Sequence, residues 1–415
     1  MNLEGQRATW RSPLTRHATL ALSARVNTPI STRELDRRRE LVRAGMVERD
    51  LDVLLIQSPH EMAGGYVRWL TDVVVTDQPV TVVVPRDGTM TLITHGPFGG
   101  EETISPEGHD TLRGVGRVLT TPMFPAVAYT GAYVAESIIE ALAPYDRASI
   151  GVVGEHLFSF TTLDRVRRAF PGASFVEAAD FVDRIKAVKS DEEQELIRRA
   201  AALQDAVMEA AFASVEPGKR DSDVTAVARR AAQELGSESG ILLCGSASAG
   251  TPAMIQNTHL QHRVIERGDV IALLVEVNGP GGFYAEVGRT CVVGSASQQL
   301  QEEFAFAAET QRRTVERLKP GASCAEIWDS HNAWMREHGL PEERRIHCHG
   351  QGYDFVERPL IRSDEPMTIE AGMNITCHPS YVRSGAWSWI CDNYLVRPDG
   401  TQEPLHAFPR RIIEV

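Results

Sequence analysis

The sequence predicts an α+β protein of two domains, an N-terminal α/β domain followed by a larger domain of helix pairs and antiparallel hairpins. Three observations predict it. The chain's 415 residues exceed what one hydrophobic core usually serves, and an apolar content of 42% can fill two. Up to about residue 185, short β-rich apolar runs alternate with helical stretches, the pattern of an α/β unit. Beyond that point the order becomes helix pair and hairpin, then helix pair and hairpin again.

Residues 1–30 show no strong periodicity and read as an extension whose role the sequence leaves open. The first domain, 31–185, starts with a charged helical pattern at 34–49, and the apolar run at 51–56 reads as a buried strand. Further β-rich runs lie at 73–75, 80–84, 90–93 and 149–153, with a turn at Arg86-Asp87-Gly88 and helices near 133–142 and 162–169. The second domain, 186–415, opens on Ser190 as an N-cap with Glu193 three residues on, which predicts a capping box and a long helix to about Ser214. Glu216-Pro217-Gly218 stops that helix, and a second follows at 221–234. Strands are expected at 241–243, 270–277 and 283–293, helices at 298–318 and 324–338, and a last β-rich stretch from 368 to 415.

Bulk properties exclude several function classes. No stretch approaches the roughly 20 uninterrupted apolar residues that a membrane span requires. The N-terminal stretch is punctuated by Arg7, Arg11, Arg16 and Arg25 and shows no apolar core of a secretory signal, so a cytoplasmic location is expected. A formal charge of -13 argues against nucleic acid or an anionic membrane as partner, since both demand clustered cationic surface. The six cysteines all lie in the second half without a paired spacing, which fits reduced thiols better than disulfides.

The residues that carry chemistry fall in the second domain. His349-Gly350-Gln351-Gly352 is followed by Glu357-Arg358-Pro359, Gly372-Met373, His378-Pro379 and Cys391-Asp392. Upstream, Gly268-Asp269 and Arg289-Thr290 flank a Gly/Pro-rich tip, Asn278-Gly279-Pro280-Gly281-Gly282. This order resembles the C-terminal half of the pita-bread hydrolases, the fold of creatinase, prolidase, aminopeptidase P and methionine aminopeptidase. The resemblance implies a creatinase-like N-terminal domain, a pita-bread domain with a curved antiparallel sheet, and a homodimer. It also implies a site in which two Asp, one His and two Glu clamp two divalent metals that position and deprotonate a water.

Carried over residue by residue, the first Asp position holds Leu274, which cannot bind a metal. Glu276, two residues on and so on the same strand face, is a displaced candidate. The second Asp position holds Glu286, the His is His349, the Glu before Pro is His378, and the last Glu is Cys391. A second His that often follows the first motif is Val356 here. With one ligand of five unchanged, a dinuclear site is not expected, and two readings remain. Creatinase keeps this fold and works without metal, so the favoured expectation is a metal-independent hydrolase with no cofactor. The other is one zinc ion in a rebuilt Glu286, His349, His378 and Cys391 set.

On the favoured reading, His349 and His378 transfer protons, because imidazole titrates near neutral pH, while Glu286 and Glu357 orient substrate or water. Substrate contacts are assigned to Glu276, His259, His262, Tyr353, Arg358, Trp389 and Cys391. Each has a bland counterpart: core histidines, exposed loop histidines, a solvated or paired arginine, aromatic packing by Trp387 and Trp389, and a buried small thiol. The expected reaction is cleavage of a C–N bond in a small polar metabolite. A lyase or decarboxylase on the same scaffold, a zinc Xaa-Pro peptidase-like hydrolase and a non-catalytic binding protein are the competing expectations.

Overall fold

A computed structural model describes residues 28–105 and 110–415, so the expected 1–30 extension lies outside the described residues except for positions 28–30. Of these, Ile30 is fully buried in the first domain's core, and its N–H donates to Asp72 at 3.1 Å.

The first domain opens on α1 (Thr32–Glu48), where Ser31 Oγ accepts the Glu34 N–H and caps the first turn. The apolar run predicted at its start forms β1 (Val53–Ser58), every residue of which is buried. The chain continues through α2 (Gly65–Thr71), β2 (Val80–Pro85), β3 (Met90–His95), β4 (Gly100–Thr103), β5 (Val115–Thr121), α3 (Gly131–Leu142), β6 (Ser149–Val153), α4 (Phe160–Ala169), β7 (Ser174–Glu177) and α5 (Ala179–Ala187). The seven strands form one mixed sheet in the order β4-β5-β3-β2-β1-β6-β7. The β-rich run expected at 73–75 forms no strand and serves as the connection after α2.

The second domain begins with α6 (Asp191–Ala213). The predicted capping box is present, with Ser190 Oγ accepting the Glu193 N–H at 3.2 Å and Glu193 Oε2 accepting the Ser190 N–H at 2.7 Å. Next come α7 (Asp221–Glu234), β8 (Gly240–Ala247), β9 (Val270–Val277), β10 (Val287–Val292), α8 (Gln298–Val315) and α9 (Cys324–Glu337). The last stretch supplies β11 (Cys348–Gly350), β12 (Glu357–Leu360), β13 (Asn374–Cys377), β14 (Ser380–Arg383), β15 (Ala386–Trp389), β16 (Asp392–Val396), β17 (Gln402–Pro404) and β18 (Ile413–Glu414).

Two sheets result, β18-β10-β9-β8 and β12-β11-β13-β16-β17, with β14-β15 as a separate hairpin. They are antiparallel except that β18 joins β10 in parallel. Gly288 and Cys391 exchange backbone hydrogen bonds at 3.1 and 3.3 Å and stitch the two sheets into one continuous surface. Beneath this seam the buried Arg289 guanidinium holds Asp392 Oδ1 at 2.5 Å and donates to the Cys391 carbonyl. All six thiols are free and buried. Among the described residues no helix is long and apolar enough to cross a membrane.

Buried charges lock the domains together. Glu193 at the start of α6 receives Arg38 of α1 at 2.9 Å and the Trp69 indole N–H of α2 at 3.1 Å. Glu357 receives Lys189 at 2.8 Å and Lys186 at 3.4 Å. Removing one partner of such a pair strands a buried charge, at a cost of about 3–5 kcal/mol.

Candidate functional site

The seam between the two sheets is where the side chains with chemistry converge. Glu286 sits one residue before β10, His349 lies mid-strand in β11, and His378 follows the end of β13. The register sets His349 opposite Thr376, and the His378 N–H donates to the His347 carbonyl at 2.8 Å, which extends the ladder by one pair. One carboxylate oxygen of Glu286 and one ring nitrogen from each histidine thereby lie within 4.8 Å of one another. Glu286 and His349 are buried, and His378 is half-buried.

The orientation of His349 is set by its backbone. Its Nδ1 lies 2.8 Å from the Gly350 carbonyl, which can only accept, so Nδ1 carries the proton and Nε2 keeps its lone pair. That Nε2 faces Glu286 Oε2 at 3.9 Å, too long for a hydrogen bond and suited to a shared ion. Burial, then the neighbouring His378, pulls His349 down to about 4, and burial with the charge of Arg345 does the same to His378. Both imidazoles are therefore neutral at neutral pH, the form that ligates metal. Burial raises the Glu286 carboxyl, opposed by His349, and raises Glu276 well above the carboxylate range with the help of the Glu286 charge.

A polar network holds the carboxylates in place. Gln351 donates to Glu276 at 2.9 Å, Asn393 donates to Gln351 at 2.9 Å, and Asn393 Oδ1 accepts the Glu286 N–H at 2.6 Å. Thr376 Oγ1 reaches Glu286 Oε2 at 3.4 Å. Gln351 stands inside the His349-Gly350-Gln351-Gly352 motif with no role assigned to it from sequence, and Thr376 and Asn393 lie two residues from His378 and Cys391 with no signal of their own.

The other half of the site is apolar. Leu274, Trp387, Trp389, Cys391 and Ala272 form one buried cluster, with Leu274 directly opposite Gly288 in the ladder. The Trp387 and Trp389 rings stack at 4.6 Å, and Trp389 covers Gly288 so closely that any side chain there would collide with the indole. Cys391 Sγ stands outside the Glu286, His349 and His378 group, 3.4 Å from Thr376 Oγ1 and 3.5 Å from the Glu286 carbonyl oxygen. Burial and the Glu286 charge push this thiol well above its ordinary range.

The converging donors, one carboxylate oxygen and two imidazole nitrogens, fit an ion. Two histidines and a glutamate leave room for water, as in mononuclear zinc hydrolases. Of the four donors expected in a rebuilt tetrahedral set, Glu286, His349 and His378 converge within 4.8 Å, and Cys391 Sγ lies outside that group.

Other expected site residues are engaged elsewhere. Burial would raise the Glu357 carboxyl, but Lys186, Lys189 and the N–H groups of Tyr353 and Asp354 hold it at about 2, making it an anchor of the domain seam. Arg358 grips Glu365 with two nitrogens, at 3.1 and 2.6 Å, and Asp180 with a third, so its donors are taken. His259 and His262 are exposed, because the loop turns Gln261 inward to Thr225, Leu242 and Gln256 instead. Tyr353 is buried against Phe283 at the domain seam, its hydroxyl 3.4 Å from Arg38.

Comparison with known proteins places these features in context. The sequence matches Metallopeptidase family M24 over residues 195–398 and the Creatinase/Prolidase N-terminal domain over 38–188. It is 26% identical over 258 residues to the Xaa-Pro dipeptidase of Pyrococcus furiosus, covering 61% of this chain and 72% of that one. The creatinase of a Bacillus species is 25% identical over 296 residues, 64% of this chain and 68% of that one. The structure of the X-Pro aminopeptidase from Thermotoga maritima aligns with a TM-score of 0.74 at 19% identity, over 91% of this chain and 99% of that one. The prolidase of Pyrococcus horikoshii aligns with a TM-score of 0.71 at 18% identity, over 91% and 100%. At such identities the structural likeness establishes the fold.

Proposed function

Because this chain belongs to the creatinase/Xaa-Pro peptidase-like superfamily and is a hydrolase of metallopeptidase family M24, we propose that it cleaves the C–N bond of a small peptide-like substrate at a single-metal centre. Glu286, His349 and His378 hold the ion, and their convergence within 4.8 Å is the observation that carries this reading. When bound, the ion supplies Lewis-acid polarisation and a water of lowered pKa.

The chain's own residues do the rest. His349 is held in one tautomer by Gly350, so its Nε2 lone pair points into the centre. Glu276, clamped by Gln351 at 2.9 Å and pushed up by burial, is the carboxyl placed to exchange a proton with the leaving amine. Trp389 and Leu274 dry the flank where the second ion of a dinuclear enzyme would sit. The metal-free reading leaned on the number of lost ligands; the ligands that remain support a one-ion centre better, and the Xaa-Pro dipeptidases among the relatives favour peptide-like substrates. A dissolved enzyme of the homodimeric type common to the family is the accompanying proposal, read out by solution mass.

The test is turnover of Xaa-Pro dipeptides and of creatine, before and after chelation. Loss of activity on chelation and its return with one equivalent of zinc are expected. Full activity on either substrate after exhaustive chelation would return the protein to the metal-free reading.

A further inference from the structure

A cavity of about 350 Å³ opens at the domain seam, at the tip of the hairpin that carries Glu276 and Glu286. Its walls come from both domains: Arg68 and Glu61 from the first, Glu238, Asn278, Tyr284 and Tyr353 from the second. Asn278 and Tyr284 pair in an isolated bridge, two positions beyond Glu276 and two before Glu286. Two residues of extended chain span about 7 Å, which sets Asn278 of the cavity about that far along the backbone from Glu276. A volume of this size accepts an amino acid with room to spare.

The charged groups of the cavity are only partly used. Arg68 Nη1 donates to Glu238 Oε2 at 2.6 Å, while its Nε is buried without a partner. The guanidinium lies against Gly282, where any side chain would collide with it, and 5.8 Å from the Tyr353 ring centre. Glycine at this tip is what lets an arginine of the first domain reach the cavity. Against this one cation stand two carboxylates, Glu238 and the exposed Glu61. A lone carboxylate ligand would meet a net negative lining and a lone ammonium would meet Arg68, whereas a zwitterion satisfies both signs.

We propose that this cavity is the subsite for a zwitterionic α-amino-acid head group of the substrate, its carboxylate on Arg68 and its ammonium on Glu238 and Glu61. The proposal deepens the hydrolase reading and rests on it for the word substrate. It places the scissile C–N bond toward the far end of the molecule from the amino-acid head, so the preferred substrates are amides borne on an amino-acid side chain or their close analogues.

The test uses three probes of one shape, L-norvaline, pentanoate and n-butylamine, titrated against the full chain by protein-observed NMR. Norvaline is expected to bind at least about tenfold more tightly than either truncated analogue, the scale of one charge-assisted hydrogen bond. Its shifts should centre on Tyr284 and Tyr353. Arg68→Gln should erase the preference for norvaline over butylamine, and Glu238→Gln the preference over pentanoate. His349→Ala, which strikes the proposed metal centre, should leave norvaline binding unchanged, so a failed metal reading and a failed subsite are told apart. Equal affinity for the three probes on the unaltered chain overturns the proposal, whether or not the Arg68 variant folds.

Discussion

The two flanks of the seam, Glu286 with His349 and His378 on one side and Leu274 with Trp389 and Cys391 on the other, share a backbone and differ in chemistry. On the first, three donors converge and both imidazoles are held neutral. On the second, two stacked indoles and a leucine pack against the buried Cys391 thiol. Under the one-ion proposal, the difference means that packing limits the metal count: the flank without donors is filled by Leu274 and Trp389.

The largest effect that can break this comparison is removal of a donor. His349→Ala and His378→Ala should each strip the metal and lower kcat by about 10^2-fold or more, with the fold retained, since each side chain is a proposed ligand of the centre. Near-full kcat in both would dissolve the functional flank. Next comes Leu274→Asp, which restores the family's carboxylate into the apolar flank. The position is 4% exposed, so the change should cost about 3–5 kcal/mol in a denaturant titration without gaining a second ion. A stable variant that binds two ions would show that the apolar filling is not what limits the count.

Gly288→Ala should destabilise by about 1–3 kcal/mol, because the added methyl meets the Trp389 indole at the sheet seam. Unaltered thermal stability would mean that the indole is loosely packed. The smallest effect is expected of Cys391→Ser: a change in stability of about 1 kcal/mol and a few-fold change in turnover, with metal content kept. Joint loss of metal and activity would bring the thiol back as a ligand.

Much of this was legible in the sequence because it is local. The capping box of Ser190 and Glu193, the buried run of β1 and the motif around His349 depend on residues a few positions apart. Family spacing also located Glu286, His349 and His378, and read Leu274 as a lost ligand. Less local features escaped. β5 was missed because Val115–Thr121 mixes glycine and arginine into its run and owes its place to pairing with β3 and β4. Glu357 looked catalytic because it follows the motif; its partners Lys186 and Lys189 lie about 170 positions away and meet it only after the domains dock. Arg358 is occupied in the same way by Asp180, 178 positions earlier. Long-range ion pairing leaves no periodic trace in a chain, so it separates a free charge from a committed one only once the fold is known.

The most direct test of one functional flank and one filled flank is the count of zinc ions bound per chain after metal removal and reloading, by elemental analysis of the intact protein. The account predicts one equivalent, lost in His349→Ala and His378→Ala and kept in Cys391→Ser. Two equivalents in the unaltered chain, or none in a fully active one, would contradict it.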